Sequence, residues 1–192
     1  MNFFKIDEFD SADGPGIRVG LYVSGCTHKC KGCHSSEYWD FEAGDKFTED
    51  CLIQLEAALS KNYIEGLSIL GGDPLEIKNI HQVKYIIEQC KRFYELSHDK
   101  LNIWLWTGSV FENLCLLFAE DFKDSDATWY VDDLKYILNN IDVLVDGPFI
   151  EEKKDLNLAF RGSSNQRLID MRKTLENKKL TLLDIKENMR HG

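Results

Sequence analysis

The chain has 192 residues, 43% of them hydrophobic, with 33 acidic against 23 basic side chains and a formal net charge of −10. That length and apolar content suit one domain with its own core, and no apolar run approaches the roughly 20 residues needed to cross a bilayer. The acidic balance argues against nucleic-acid binding, and the stretch from Met1 to Glu8 lacks signal-peptide shape, so six cysteines point to a reducing cytoplasm.

The predicted elements alternate along the chain. Ile17 to Val23 reads as a strand, rich in β-branched and aromatic residues, and leads straight into a cysteine-rich loop. Thr48 is placed to cap a helix running to about Lys61, with Leu52, Leu55 and Leu59 as its apolar stripe. Gly66 to Leu70 is a short apolar strand ending at Gly71-Gly72. Val83, Ile86, Ile87 and Cys90 mark a second helix. Leu101 to Trp106 is a third strand, and Phe111, Leu114, Cys115 and Phe118 again have helical spacing. Asp142 to Asp146 is a fourth strand, stopped by Gly147-Pro148. Alternating strands and helices, with strands read as apolar on both faces, predict an α/β fold with a mainly parallel sheet and covering helices. So few strands cannot close an eight-stranded barrel, and an open, partial (β/α) barrel is expected. The segment 121–133, acidic and aromatic, reads as an insertion. The tail 171–192 is basic and helix-compatible, an extension of unassigned role beyond a 1–170 domain.

Chemistry concentrates just after the strands, where such folds build their sites. Cys26, Cys30 and Cys33 are spaced C-x3-C-x2-C. Three thiolates on one short loop can hold three irons of a 4Fe-4S cluster and leave the fourth open to a substrate. The same residues allow a tetrahedral zinc site with His28 or His34 as fourth ligand. Structural zinc sites usually show a second ligand pair, and none follows here. Cys90 and Cys115 lie on apolar helix faces and read as core, and Cys51 is left out of the chemistry. In Gly71-Gly72-Asp73-Pro74 the glycines permit close approach to the backbone, and Asp73 can accept hydrogen bonds from an ammonium group. Thr107 and Gly108 end the third strand. Asp146 either contacts a ligand or caps a turn. Arg161 to Arg167 is a polar loop or short edge strand.

Taken in order, D-G-P-G-I-R, S-G-C-T-H-K-C-K-G-C-H, G-G-D-P-L, W-L-W-T-G, D-V-L-V-D-G and R-G-S-S-N-Q-R resemble the activating enzymes of anaerobic (class III) ribonucleotide reductases. These belong to the radical S-adenosylmethionine (SAM) superfamily. The resemblance runs from about Asp10 to Asp170; the cysteine motif specifies only the superfamily, and the later motifs specify the branch. It implies one 4Fe-4S cluster on Cys26, Cys30 and Cys33. It also implies SAM bound by Gly32, Cys33, His34, Gly71, Gly72, Asp73 and Thr107, with Asp73 orienting the SAM ammonium. The implied reaction is reductive SAM cleavage to a 5′-deoxyadenosyl radical, which generates the glycyl radical of the reductase. A flavodoxin or similar carrier is the implied electron donor. No catalytic residue beyond the cofactors is needed, and neither nucleic acid nor membrane enters. The family commonly has Cys-Tyr-Asn where this chain has Cys33-His34-Ser35, which bears on the adenine contact. Alternatives are activation of another glycyl-radical enzyme such as pyruvate formate-lyase, a small-molecule radical SAM enzyme, or a structural zinc module.

Overall fold

The structure, a computed structural model, describes residues 1–96, 100–119 and 128–185. Its strands are β1 (Asn2–Asp10), β2 (Ile17–Val23), β3 (Asp45–Lys46), β4 (Ile64–Gly71), β5 (Ile103–Trp106), β6 (Val143–Asp146) and β7 (Arg167–Asp170). They form one sheet in the order β3-β1-β2-β4-β5-β6-β7. The helices are α1 (Glu49–Leu59), α2 (Ile80–Tyr94), α3 (Phe111–Ala119), α4 (Thr128–Asn140) and α5 (Met171–Asn177). The inner pairs β2–β4, β4–β5 and β5–β6 are parallel. Both edges are antiparallel, through β1 and β3 on one side and β7 on the other. The fold is therefore α/β with a mixed, largely parallel sheet. The four strands read from apolar runs correspond to β2, β4, β5 and β6, and the edge strands extend them.

The two faces of the sheet are built differently. Val19, Leu21, Leu67, Ile69, Leu105 and Leu144 pack into one core with residues of α1 to α5, such as Leu55, Ile87, Leu114, Ile137 and Met171. Each such Leu or Ile is worth about 1.5–3 kcal/mol when buried, so this face carries most of the hydrophobic stabilisation. Successive strand residues point to opposite faces. The other face thus receives Arg18, Tyr22, Ser68 and Trp104 in place of a continuous apolar layer. Its apolar part is a small cluster of Trp104, Val143, Val145 and Leu168, packed by Trp106, Phe160, Leu183 and Ile185, to which none of α1–α5 contributes. Of the expected covering helices, α1 to α5 all pack on the first face, and the second carries these polar groups instead.

Residues 121–127 of the expected insertion lie outside the described residues. Its remainder, from 128, opens α4, where Val131, Leu134, Ile137 and Leu138 are buried. The tail from 171 begins as α5, whose Met171 and Thr174 are buried. It then runs beside β7: the Asp170 N–H donates to the Thr181 carbonyl at 2.9 Å and the Leu183 N–H to the Leu168 carbonyl at 2.8 Å. Residues 186–192 lie outside the described residues. Among the described residues no helix is long and apolar enough to cross a membrane.

Candidate functional site

The carboxyl ends of β2, β4, β5 and β6 converge on one cluster of loops. After β2, the base of the cysteine loop is closed by main-chain bonds, Gly25 N–H to the Tyr38 carbonyl at 2.7 Å and Cys26 N–H to the Trp39 carbonyl at 3.1 Å. A turn then brings the Cys33 N–H to the Cys30 carbonyl at 3.1 Å, with Gly32 between them at φ 72°. A φ of that sign favours glycine. Cys26 is buried, and Cys30 and Cys33 are half-buried, all with free thiols. Burial first, then the Asp73 charge, pushes the Cys26 thiol up to about 11, and burial also raises Cys30. Bound metal would have to displace those protons. Among the described residues no three His, Cys, Asp or Glu side chains are drawn together as a metal site requires. The fit to an iron–sulfur cluster therefore rests on the donor set and its placement, three thiols on one loop at the sheet's carboxyl end.

The β4 loop docks directly onto this one. The Gly72 N–H donates to the Val23 carbonyl at 2.7 Å and the Asp73 N–H to the Gly25 carbonyl at 2.8 Å. A Cβ on Gly72 would meet the Gly25 oxygen at 2.4 Å. Here the close approach that glycine permits is made by the chain's own backbone, which fixes the cysteine loop against β4. Gly71 pairs with Val23 at the last register position of β4.

Asp73 is 2% exposed, and four donors surround its carboxylate. Oδ1 accepts from the Leu75 N–H at 2.9 Å, Oδ2 accepts from the Gly108 N–H at 2.9 Å, and the Thr107 hydroxyl reaches both oxygens at 3.0 and 2.9 Å. The fourth is His28, with Nε2 at 3.1 Å from Oδ2. The hydrogen bond to Asp73 raises the His28 pKa against the effect of its partial burial. Thr107 is buried within this junction, while His34 is exposed on the cysteine loop. Asp146, 1% exposed, accepts from the Phe111 N–H at 2.8 Å and from Arg167 Nε at 3.0 Å. It therefore caps α3 and anchors the start of β7.

Comparison with known proteins shows the family. A family profile described as "4Fe-4S single cluster domain" matches residues 12–169. The anaerobic ribonucleoside-triphosphate reductase-activating protein of Enterobacteria phage T4 is 38% identical over 169 residues, covering 88% of this chain and 93% of the relative. Its namesake from Vibrio cholerae is 37% identical over 168 residues, covering 86% and 96%. That from Escherichia coli K12 is 34% identical, with the same coverage. The chain belongs to the anaerobic ribonucleoside-triphosphate reductase-activating protein family. The family's 4Fe-4S domain spans all the loops described above.

Several residues that shape the site of this family member carry no signal in a one-dimensional reading. Asn79, 1% exposed, donates through Nδ2 to the Ser24 carbonyl at 2.9 Å and the Asp73 carbonyl at 3.0 Å, tying two loops. Glu76 Oε1 accepts from the Thr27 N–H and hydroxyl, each at 2.5 Å. Gln166 Oε1 accepts from the Gly162 and Ser163 N–H groups at 2.9 and 3.1 Å, and its Nε2 donates to the Gly147 carbonyl at 3.1 Å. The R-G-S-S-N-Q segment therefore folds on itself and braces the turn after β6. The only advance hint of these roles is the position of each side chain just after a strand or beside a glycine turn.

Proposed function

We propose that this protein is a radical SAM activase that generates the glycyl radical of an anaerobic ribonucleotide reductase. The observation that carries the reading is the C-x3-C-x2-C loop docked on the Gly72–Asp73 backbone, in a chain 38% identical to a reductase-activating protein. Cys26, Cys30 and Cys33 would ligate the 4Fe-4S cluster. Gly32, Cys33, His34, Gly71, Gly72, Asp73 and Thr107 would surround SAM, with His34 serving as the planar contact for adenine. When bound, the reduced cluster and SAM supply reductive cleavage to methionine and a 5′-deoxyadenosyl radical, which takes a hydrogen atom from a glycine of the reductase. The protein itself ligates, orients and excludes water, so no acid–base pair is required.

The face of the sheet that α1 to α5 leave uncovered supports a further part of this reading. It would serve as the inner wall of an open partial barrel, leaving the reductase's glycine loop a path to the strand ends. Residues 1–170 would form the activase domain, with the 171–185 segment bracing its β7 edge. A flavodoxin or similar one-electron carrier would reduce the cluster, in the cytoplasm, with no nucleic acid or membrane involved.

The test is anaerobic reconstitution with iron and sulfide, reduction, and addition of SAM and a class III reductase. The expected result is a glycyl-radical doublet by electron spin resonance, with 5′-deoxyadenosine and methionine in solution. Deoxyadenosine without the doublet would keep the chemistry and remove the partner. A protein that binds zinc and ignores SAM would remove both.

A further inference from the structure

We infer that His28 is a positioning residue: from inside the cysteine loop it couples the cluster ligands to the SAM-binding loops through Asp73. The inference rests on the function proposed above and extends it to a residue without an assigned role.

The geometry singles His28 out. It lies between Cys26 and Cys30, and its Nε2 is 3.1 Å from Asp73 Oδ2. Its ring fills the space over Gly108, where a Cβ would meet His28 Cδ2 at 2.5 Å. Glycine at 108 thus makes room for the imidazole, and Gly108 also donates its N–H to the same Asp73 oxygen. The contact needs a proton on Nε2, which both the neutral Nε2–H tautomer and the imidazolium supply.

The remaining ties on the loop divide into two groups. The base is held by main-chain bonds at Gly25 and Cys26 and by Glu76 on Thr27. Beyond His28, the arm carrying Cys30 and Cys33 meets the 149–151 segment through the Lys31–Glu151 pair at 2.9 Å. In that pair the side chains are 84% and 45% exposed, and exposed pairs contribute about 0–1 kcal/mol. Asp73, by contrast, is 2% exposed, and a buried carboxylate depends on each of its donors. The His28–Asp73 contact, a 30% exposed imidazole on a 2% exposed carboxylate, is therefore the side-chain tie that joins the arm to the β4 and β5 loops through a buried group.

The test compares His28→Ala and His28→Gln in the reconstituted, cluster-loaded protein. Iron content, SAM dissociation constant and the spin resonance spectrum of the reduced cluster with SAM are measured. Loss of supporting hydrogen bonds around metal sites typically costs about 10–100-fold in metal affinity or activity. His28→Ala should keep its iron but bind SAM about tenfold more weakly, with an altered spectrum. His28→Gln, whose amide can donate to Asp73, should recover most of the affinity. Wild-type affinity and spectrum in the alanine variant would overturn the inference. If alanine costs the cluster itself, His28→Met, of similar reach and without a donor, replaces it; Gln and Met variants of equal SAM affinity would then overturn the inference. A wild-type protein lacking cluster or SAM binding would instead sink the proposed function, so the two failures are distinguishable.

Discussion

Two buried charged side chains, Arg18 toward the amino ends of the parallel strands and Asp73 at their carboxyl ends, are satisfied in opposite ways. At the amino ends, Arg18 is fully buried, with Nε donating to the Ser68 hydroxyl at 2.7 Å, Nη1 to Asn102 Oδ1 at 3.0 Å, and Nη2 to the Leu67 and Asn102 carbonyls at 2.9 and 3.1 Å. These partners are neutral and belong to β4 or to the residue before β5. Burial lowers the Arg18 pKa to about 10, and the guanidinium stays charged at neutral pH. At the carboxyl ends, Asp73 takes its donors from three different loops, one of them the cysteine loop. A charge held by strand groups locks the sheet. A charge held by loops sets the relative position of groups meant for a ligand. The amino end is thus read as scaffold and the carboxyl end as the working site.

Four substitutions sharpen this contrast, in order of expected effect. Cys30→Ala should abolish cluster binding and SAM cleavage, measured by iron content and deoxyadenosine. Its unfolding free energy without metal should stay within about 1 kcal/mol of wild type, since the thiol is only half-buried. Full iron content in that variant would remove Cys30 from the ligand set. Arg18→Met strikes the scaffold end. It leaves buried Ser68 and the Asn102 and Leu67 oxygens without their donor and should cost about 3 kcal/mol in denaturant unfolding. Unchanged stability would mean that those groups find other partners.

Asp73→Asn strikes the working end. It replaces one acceptor oxygen by a donor facing Gly108 N–H and His28, and should weaken SAM binding about tenfold with the cluster retained. Equal affinity would deny Asp73 its role. The smallest effect is expected from Asp13→Asn. The single hydroxyl proton of Tyr22 lies within reach of both Asp10 Oδ2 at 3.0 Å and Asp13 Oδ2 at 2.8 Å. Burial first, then the Asp10 charge, pushes Asp13 up to about 6 from 3.8. A raised folded-state pKa gives stability that is full below the unfolded value and is lost as pH rises through the folded one. Wild type should therefore lose stability between those two pH values. Asp13→Asn should gain about 1 kcal/mol at about pH 7.5 and little at about pH 3.5. Parallel pH profiles for the two proteins would contradict this.

Much of this organisation is legible in the sequence, and the gaps have physical causes. Ile17, Val19, Leu21 and Val23 alternate with Arg18, Gly20 and Tyr22, which signals one apolar face; reading β2 as apolar throughout is what suggests helices on both sides. β1 escapes notice because Lys5, Asp7 and Glu8 interrupt its apolar residues, as befits a strand near a sheet edge. β7 has four residues and follows a polar loop. In α4, Val131, Leu134, Ile137 and Leu138 do keep helical spacing, but an acidic lead-in masks it. At the site, the cysteine spacing, the paired glycines and Asp73 are visible as motifs. The long-range partners of Asp73, Arg18 and Asn79 are not. Thr107 is 34 residues from Asp73, Ser24 is 55 from Asn79 and Asn102 is 84 from Arg18, and only the folded sheet brings them together.

The most direct measurement is the spin resonance spectrum of the reduced, reconstituted protein before and after SAM is added, alongside its iron and sulfide content. Ligation by three cysteines predicts a 4Fe-4S complement whose spectrum changes on SAM binding, because one iron is open to the ligand. A protein that takes up zinc in place of iron, or a cluster whose spectrum ignores SAM, would contradict it.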